Sequence, residues 1–178
     1  MKLVEETSSI LREVMPPFDF DNFVMDPYEL SDGLQKLRKE EGGIGLAAPQ
    51  VGIRTRALVI GMGDFETEGA DDFNQVFFNP TIVSTDPETI YMMEGCLSFP
   101  GLFVKVKRPS NIMLKWETEE GTEATERFVG MTSRIIQHEM DHLDGITFLQ
   151  RANRIHMEKA KKDRKLSVRR KKRIESTT

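Results

Sequence analysis

Cysteine is nearly absent from this chain of 178 residues: Cys96 stands alone. No disulfide can form within the chain. That usage fits a reducing cytosol and leaves the thiol available as a ligand or nucleophile. Histidine is scarce too, with three in the whole sequence. No apolar run approaches the roughly 18 residues that a membrane-crossing helix requires. The opening residues, MKLVEETSSILREV, are acidic and lack a continuous apolar stretch, so they are not expected to act as a secretory leader. Basic residues are thin over most of the chain. Residues 1–150 hold 13 Lys and Arg against 26 Asp and Glu, whereas residues 151–178 hold 12 against 3. The expectation is one acidic domain over 1–150 followed by a basic segment over 151–178, partly helical or disordered.

Two of the three histidines fall in one hexapeptide, Gln137-His138-Glu139-Met140-Asp141-His142. On a helix, positions four apart lie one above the other, so His138 and His142 can grip a single metal ion. Glu139 lies beside the first of them, placed to reach a water on that ion as a general base. The alternative, a solvated polar face, would not concentrate so rare a residue. Two histidines leave the ion one protein ligand short. Cys96, upstream, and His156 or Glu158, downstream, are the candidates, with Glu158 disfavoured because it lies beyond a helix break in a basic segment.

The remaining pattern reads as mixed α and β. Ile10, Leu11 and Val14 form one face of a short helix or anchor an N-terminal arm that Pro16-Pro17 ends. Asp26 as N-cap, Pro27 at the first position and Glu29 in a capping box open a helix that carries Leu30, Leu34 and Leu37 and stops at Gly42-Gly43. The small residues of Gly43-Ile44-Gly45-Leu46-Ala47-Ala48 allow close backbone approach, either to a neighbouring element or to a ligand. Strands are expected over 56–61, 76–83 and 89–93, with a break near Asn79-Pro80 and a solvated acidic loop over 63–74. Residues 102–107 alternate strictly, Leu102, Val104 and Val106 against Phe103, Lys105 and Lys107, which is a half-exposed strand. A hairpin pairs 112–116 with 126–129, and consecutive hairpin links imply antiparallel pairing. A helix over 131–143, closing at Gly145, carries the histidines and sets Arg134 and Ile135 on their side.

Three stretches then acquire a joint meaning. Gly43-Ile44-Gly45-Leu46-Ala47-Ala48-Pro49-Gln50, Glu94-Gly95-Cys96-Leu97-Ser98 and Gln137-His138-Glu139-Met140-Asp141-His142 together resemble the signature motifs of peptide deformylase, intact and in that family's order. The resemblance implies an α+β fold with antiparallel strands packed around a central helix bearing the HExxH motif. It implies Cys96, His138 and His142 as ligands of one divalent ion, most often Fe2+, with Zn2+, Ni2+ or Co2+ able to substitute. It implies cleavage of the formyl group from the N-terminal formyl-methionine of new polypeptides, with Glu139 shuttling protons and the Gln50 amide and the Leu97 main-chain N–H as oxyanion donors. Substrate would lie along Ile44 and Gly45, its methionine in a pocket of Ile44, Ile135 and Phe99, with Glu94 and Asp141 either bracing the ligands or serving as surface or structural salt-bridge partners. Known deformylases can dock at the ribosome through a C-terminal helix, so the basic tail has two readings, a contact to ribosomal RNA or a solvated surface. The setting would be the cytoplasm or an organelle with bacterial-type translation. The Phe99-Pro100-Gly101 sequence resembles one branch of the family, which leaves the rim loop open. Two rivals share the hexapeptide. An HExxH peptidase cutting internal bonds does not need Cys96 as a ligand, and a non-catalytic RNA-binding protein needs neither Glu139 nor Gln50.

Overall fold

The structure, a computed structural model, describes residues 1–62 and 74–175, with side chains through residue 170. The acidic loop expected over 63–74 falls, up to residue 73, outside the described residues. Helix α1 spans Pro27–Glu40. Asp26 caps it as expected, its carboxylate accepting hydrogen bonds from the main-chain N–H groups of Tyr28 at 2.9 Å and Glu29 at 3.2 Å. Leu30, Leu34 and Leu37 are buried along one side. Asp26→Ala should lower stability by about 1 kcal/mol in a urea melt, and a loss under about 0.3 kcal/mol would show the cap to be idle.

Among the described residues, five strands form the main sheet: β1 (Gly45–Ala47), β2 (Ala57–Gly61), β3 (Asn74–Thr85), β6 (Asn111–Glu117) and β7 (Glu123–Val129), in the order β1-β2-β3-β6-β7. Every pairing is antiparallel. β4 (Thr89–Glu94) and β5 (Val104–Pro109) make a separate antiparallel ribbon. Alternation along the strands divides the interior into two cores. Ala57, Val59, Val76 and Phe78 face the leucines of α1. Leu58, Ile60 and Phe77 face the opposite way, toward helix α2, which spans Gly130–Leu143. β2 is covered on both faces, which is why ALVI reads as an unbroken apolar run.

α2 is the central element. It is buried continuously from Ser133 to Leu143, although that stretch contains five polar or charged side chains besides its two histidines. The main sheet lies on one side, the β4–β5 ribbon on another and the N-terminal arm across its end, where the Met15 N–H donates to the Leu143 carbonyl at 2.8 Å. The turn closing α2 requires Gly145. Its φ is 67°, and a Cβ there would meet the Arg12 carbonyl oxygen at 2.7 Å.

At both ends the structure takes one of the alternatives that the sequence leaves open. Ser9–Arg12 is a single 3-10 turn, so α-helical spacing does not carry on to Val14, which is 72% exposed while Ile10 and Leu11 are buried. The basic segment is regular helix further than its weak apolar periodicity suggests. α3 (Phe148–Arg151) leads into α4 (Arg154–Glu175), which packs on β5, buries Ala160 and ties Arg164 to Glu6 at 2.7 Å.

Candidate active site

His138 and His142 project from α2 onto the loop that follows β4, where Cys96 lies. Cys96 Sγ is 3.2 Å from His142 Nε2, and the ligand atoms of Cys96, His138 and His142 all fall within 4.8 Å of one another. Atoms bound at about 2.0–2.3 Å around one tetrahedral ion stand roughly 3.5 Å apart, so the trio fits a single cation with a fourth position left over. His138 Nδ1 bonds Glu94 Oε2 at 3.0 Å, which turns Nε2 toward the trio. His156 is elsewhere: it meets the Lys105 carbonyl and the Tyr91 ring, outside the cluster.

The charges around the trio also favour a cation. Burial by itself disfavours a proton on His138. Hydrogen bonds to Cys96 and Glu94, with the negative charge of Glu139, outweigh it and push His138 up to about 10. The negative groups that favour a proton there would equally favour a cation, which would displace that proton from His138 on binding. His142 is driven well below its ordinary value by burial and by the charges on His138 and Arg108. It is therefore neutral, the form that ligates. Burial raises Glu139 to about 7 against the opposing pull of His138. Its Oε2 is buried without a hydrogen-bond partner, a carboxylate oxygen left free for a ligand.

A buried ion network holds these groups in place. Arg108 donates to Glu94 through Nε at 2.7 Å and Nη2 at 2.9 Å, and to Asp141 through Nη1 at 2.7 Å. Arg134 adds a bond to Glu94 at 2.9 Å, and Arg151 one to Asp141 at 2.6 Å. Burial would raise the Glu94 carboxyl, but the bonds from Arg108 and His138 prevail and hold it well below the usual carboxylate range. Arg108 and Arg151 were missed in the sequence. Arg108 did leave a signal, since it continues the inward parity of Val104 and Val106 on β5. Arg151 left none.

Beside the trio opens a cavity of about 520 Å³ lined by Ile44, Gly45, Leu97, Met131, Ile135 and Glu139, among others. Phe99 is not part of it. The Phe99 N–H closes a turn onto the Cys96 carbonyl at 2.9 Å, and the ring is buried against Phe148 in the core. Gln50 is 1% exposed. Its oxygen accepts from the Ala47 N–H at 2.8 Å, and its Nε2 faces Ser98 Oγ at 3.1 Å and Cys96 Sγ at 3.5 Å. Gly45 passes so near α2 that a Cβ would collide with Glu139 Oε1 and Ile135 Cγ2. Gly45→Ala should therefore displace Glu139 and lower kcat about tenfold or more while metal content is retained. An unchanged kcat would show that the site absorbs the methyl group freely.

A helix-borne HExxH pair with an upstream thiol beside it, on an α+β frame and next to an apolar cavity, offers the donor set of a single-ion metal-dependent amide hydrolase and differs from peptidases with a downstream Glu ligand. The family model for polypeptide deformylase matches residues 1–158. A peptide deformylase from Synechocystis sp. is 39% identical over 132 residues, covering 70% of this chain and 69% of that one. The crystal structure of the Plasmodium falciparum peptide deformylase superposes with a TM-score of 0.83 at 31% identity, covering 96% of this chain and 97% of that one. A class I type b peptide deformylase from Acinetobacter baumannii, with Met-Ala-Ser bound, gives 0.77 at 30% identity over 85% and 97% of the two chains. The chain belongs to the polypeptide deformylase family, hydrolases that remove the N-formyl group from newly made polypeptides, and that is the reaction of this site.

Proposed function

We propose that deformylation here runs with Glu139 as proton carrier and with Cys96, His138 and His142 holding one divalent ion, ferrous iron by preference. The observation that carries this reading is the thiol of the chain's sole cysteine meeting two helix-borne imidazoles within 4.8 Å. A thiolate with two imidazoles suits Fe2+, Zn2+, Ni2+ and Co2+ alike. Once bound, such an ion acidifies a water and draws electron density from the formyl oxygen.

Glu139 takes a proton from the attacking water as its oxygen bonds to the formyl carbon. It then delivers that proton to the amine nitrogen as the C–N bond breaks, leaving formate and a free amino terminus. Charge developing on the formyl oxygen needs donors already in place. The Ala47 N–H anchors the Gln50 oxygen, so Nε2 is fixed toward Cys96 and is the first of these donors. The Leu97 main-chain N–H, next in sequence to Cys96, is the second. Among the described residues β1 is an edge strand, so a substrate strand can add along Ile44 and Gly45. The methionine side chain enters the cavity between Ile44 and Ile135. The Acinetobacter relative's bound Met-Ala-Ser supports a substrate of that kind.

α4 presents Lys161, Lys165 and Arg169 on its exposed surface, a charge pattern suited to ribosomal RNA in the compartment where formylated chains are made. Reversing these three charges should reduce co-sedimentation with ribosomes, and unchanged co-sedimentation removes that contact from the proposal. The reaction itself is tested by formate release from formyl-Met-Ala-Ser, anaerobically with iron added, beside an acetylated control. Release from the formyl peptide alone is expected; none from metal-loaded protein overturns the reading.

A further inference from the structure

Arg38 lies in the last turn of α1 and is 2% exposed, on a helix that otherwise buries chiefly leucines. A guanidinium is costly to bury unless its donors are used, and here they converge around one short stretch of backbone. Nη1 donates to the Gly43 carbonyl at 2.8 Å and to the Gly61 carbonyl at 3.2 Å. The Arg38 carbonyl accepts from the Gly43 N–H at 2.8 Å, so one residue holds both main-chain groups of Gly43. Nε donates to Gln35 Oε1 at 2.8 Å and Nη2 to Asn74 Oδ1 at 3.1 Å, which fixes the plane of the guanidinium. That plane lies against Gly61, where a Cβ would collide with it. Gly43 is on the path by which the chain leaves α1 for β1. Gly43, Ile44 and Gly45 line the cavity beside the trio, whereas Arg38 does not. The Gly61 N–H donates to the Ile44 carbonyl at 3.0 Å, so Arg38 and β2 together set where the edge begins.

We propose that Arg38 is a positioning residue for deformylation: its clamp on Gly43 and Gly61 preorganises the edge along which the peptide backbone is bound. The proposal rests on the reading of β1 as the strand to which substrate adds. Arg38 acts through Gly43 and Ile44 and touches neither peptide nor ion. With the clamp gone, each arriving peptide would have to order that stretch itself, and the cost would come off affinity. Glu139 and the two histidines are carried by α2, and the Arg108 network holds that helix through Asp141 and through Glu94 to His138. Arg38 has no part in those bonds, so the steps after binding should change little.

The test measures kcat and KM separately on the full, iron-loaded chain under anaerobic conditions. Its two substrates are formyl-Met-Ala-Ser and formyl-methionine amide, which lacks the downstream backbone. Wild type should bind the tripeptide with a KM lower by about tenfold or more. Arg38→Met, which keeps the buried stem and removes every donor, should raise the tripeptide KM by about tenfold. The KM of the amide should stay within about twofold and kcat for both within about threefold. A purely structural defect reads differently: fewer active molecules lower kcat equally on both substrates and leave KM alone. That result, or a KM that rises equally for both substrates, overturns the proposal. If Arg38→Met does not fold, Gln35→Met decides. It is half-buried, removes the Nε bond and should raise the tripeptide KM by about threefold with the amide unchanged. A tripeptide KM equal to that of wild type overturns the proposal. Equal KM for the two substrates in the wild type overturns the strand-addition reading, and formate from neither overturns the deformylase reading; either takes the proposal with it.

Discussion

Glu139→Gln should lower kcat by about 10²–10⁴-fold, the range that a positioned proton carrier contributes. Glutamine keeps the size and most of the polarity of the side chain, and it is not a ligand, so metal content should stay at that of the wild type. KM should change little, because in the proposed mechanism Glu139 handles a proton and does not grip the peptide. The carboxyl is suited to this role by its surroundings. The β1 backbone at Gly45 presses on one side, and Oε2 is buried and unpaired. Burial raises its pKa to about 7 in the absence of a cation. A neighbouring cation favours the charged carboxylate, so in the loaded enzyme that value must fall. The acid limb of the activity profile should therefore lie below pH 7 and disappear in Glu139→Gln. A variant within about fivefold of wild type would leave Glu139 without its role.

The part of this site legible in the sequence is the part with a local period. His138 and His142 are four apart on one helix, and nothing beyond helical geometry is needed to bring them together. The inward set of β5 was legible for the same reason, from alternation. Cys96 is different. It is 42 positions away from His138 by number, so only its uniqueness and its motif's resemblance to a family pointed to it. Phe99 was misplaced because a motif neighbour is not a spatial neighbour: a tight turn after Cys96 swings its ring into the core. The two faces of β2 were illegible because a strand covered on both sides has no contrast to read. α4 was under-read because it is mostly solvated and docks through few residues, among them Ala160 and Arg164. Gln50 shows both limits at once. Its amide could be named as a donor, but its aim depends on the Ala47 N–H holding its oxygen, a bond that no pattern encodes.

Arg108→Met should cost about 3–5 kcal/mol, the range measured when one partner of a buried ion pair is removed. Against a typical domain stability of about 5–15 kcal/mol this is a large fraction. Arg108 is 5% exposed and bridges Glu94 and Asp141, each nearly as buried. Methionine fills much of the arginine stem's volume, so the loss is electrostatic rather than a cavity. Arg134 and Arg151 still reach one carboxylate each, but the shared bridge is gone. The pH dependence distinguishes this cause from a packing defect. In the native protein Glu94 is held below its ordinary value of 4.5. Its contribution is therefore fully present above that pH and is lost as pH falls toward the lowered value. Without Arg108 burial favours the neutral form of the Glu94 carboxyl, which needs no cation. The stability gap between wild type and Arg108→Met should consequently be widest near neutrality and narrow as pH drops below 4.5. Denaturant melts of the metal-free proteins across that range would show it. A gap under about 1 kcal/mol at neutral pH, or one that does not change with pH, would mean that Arg108 is packed between the two carboxylates without being their electrostatic anchor.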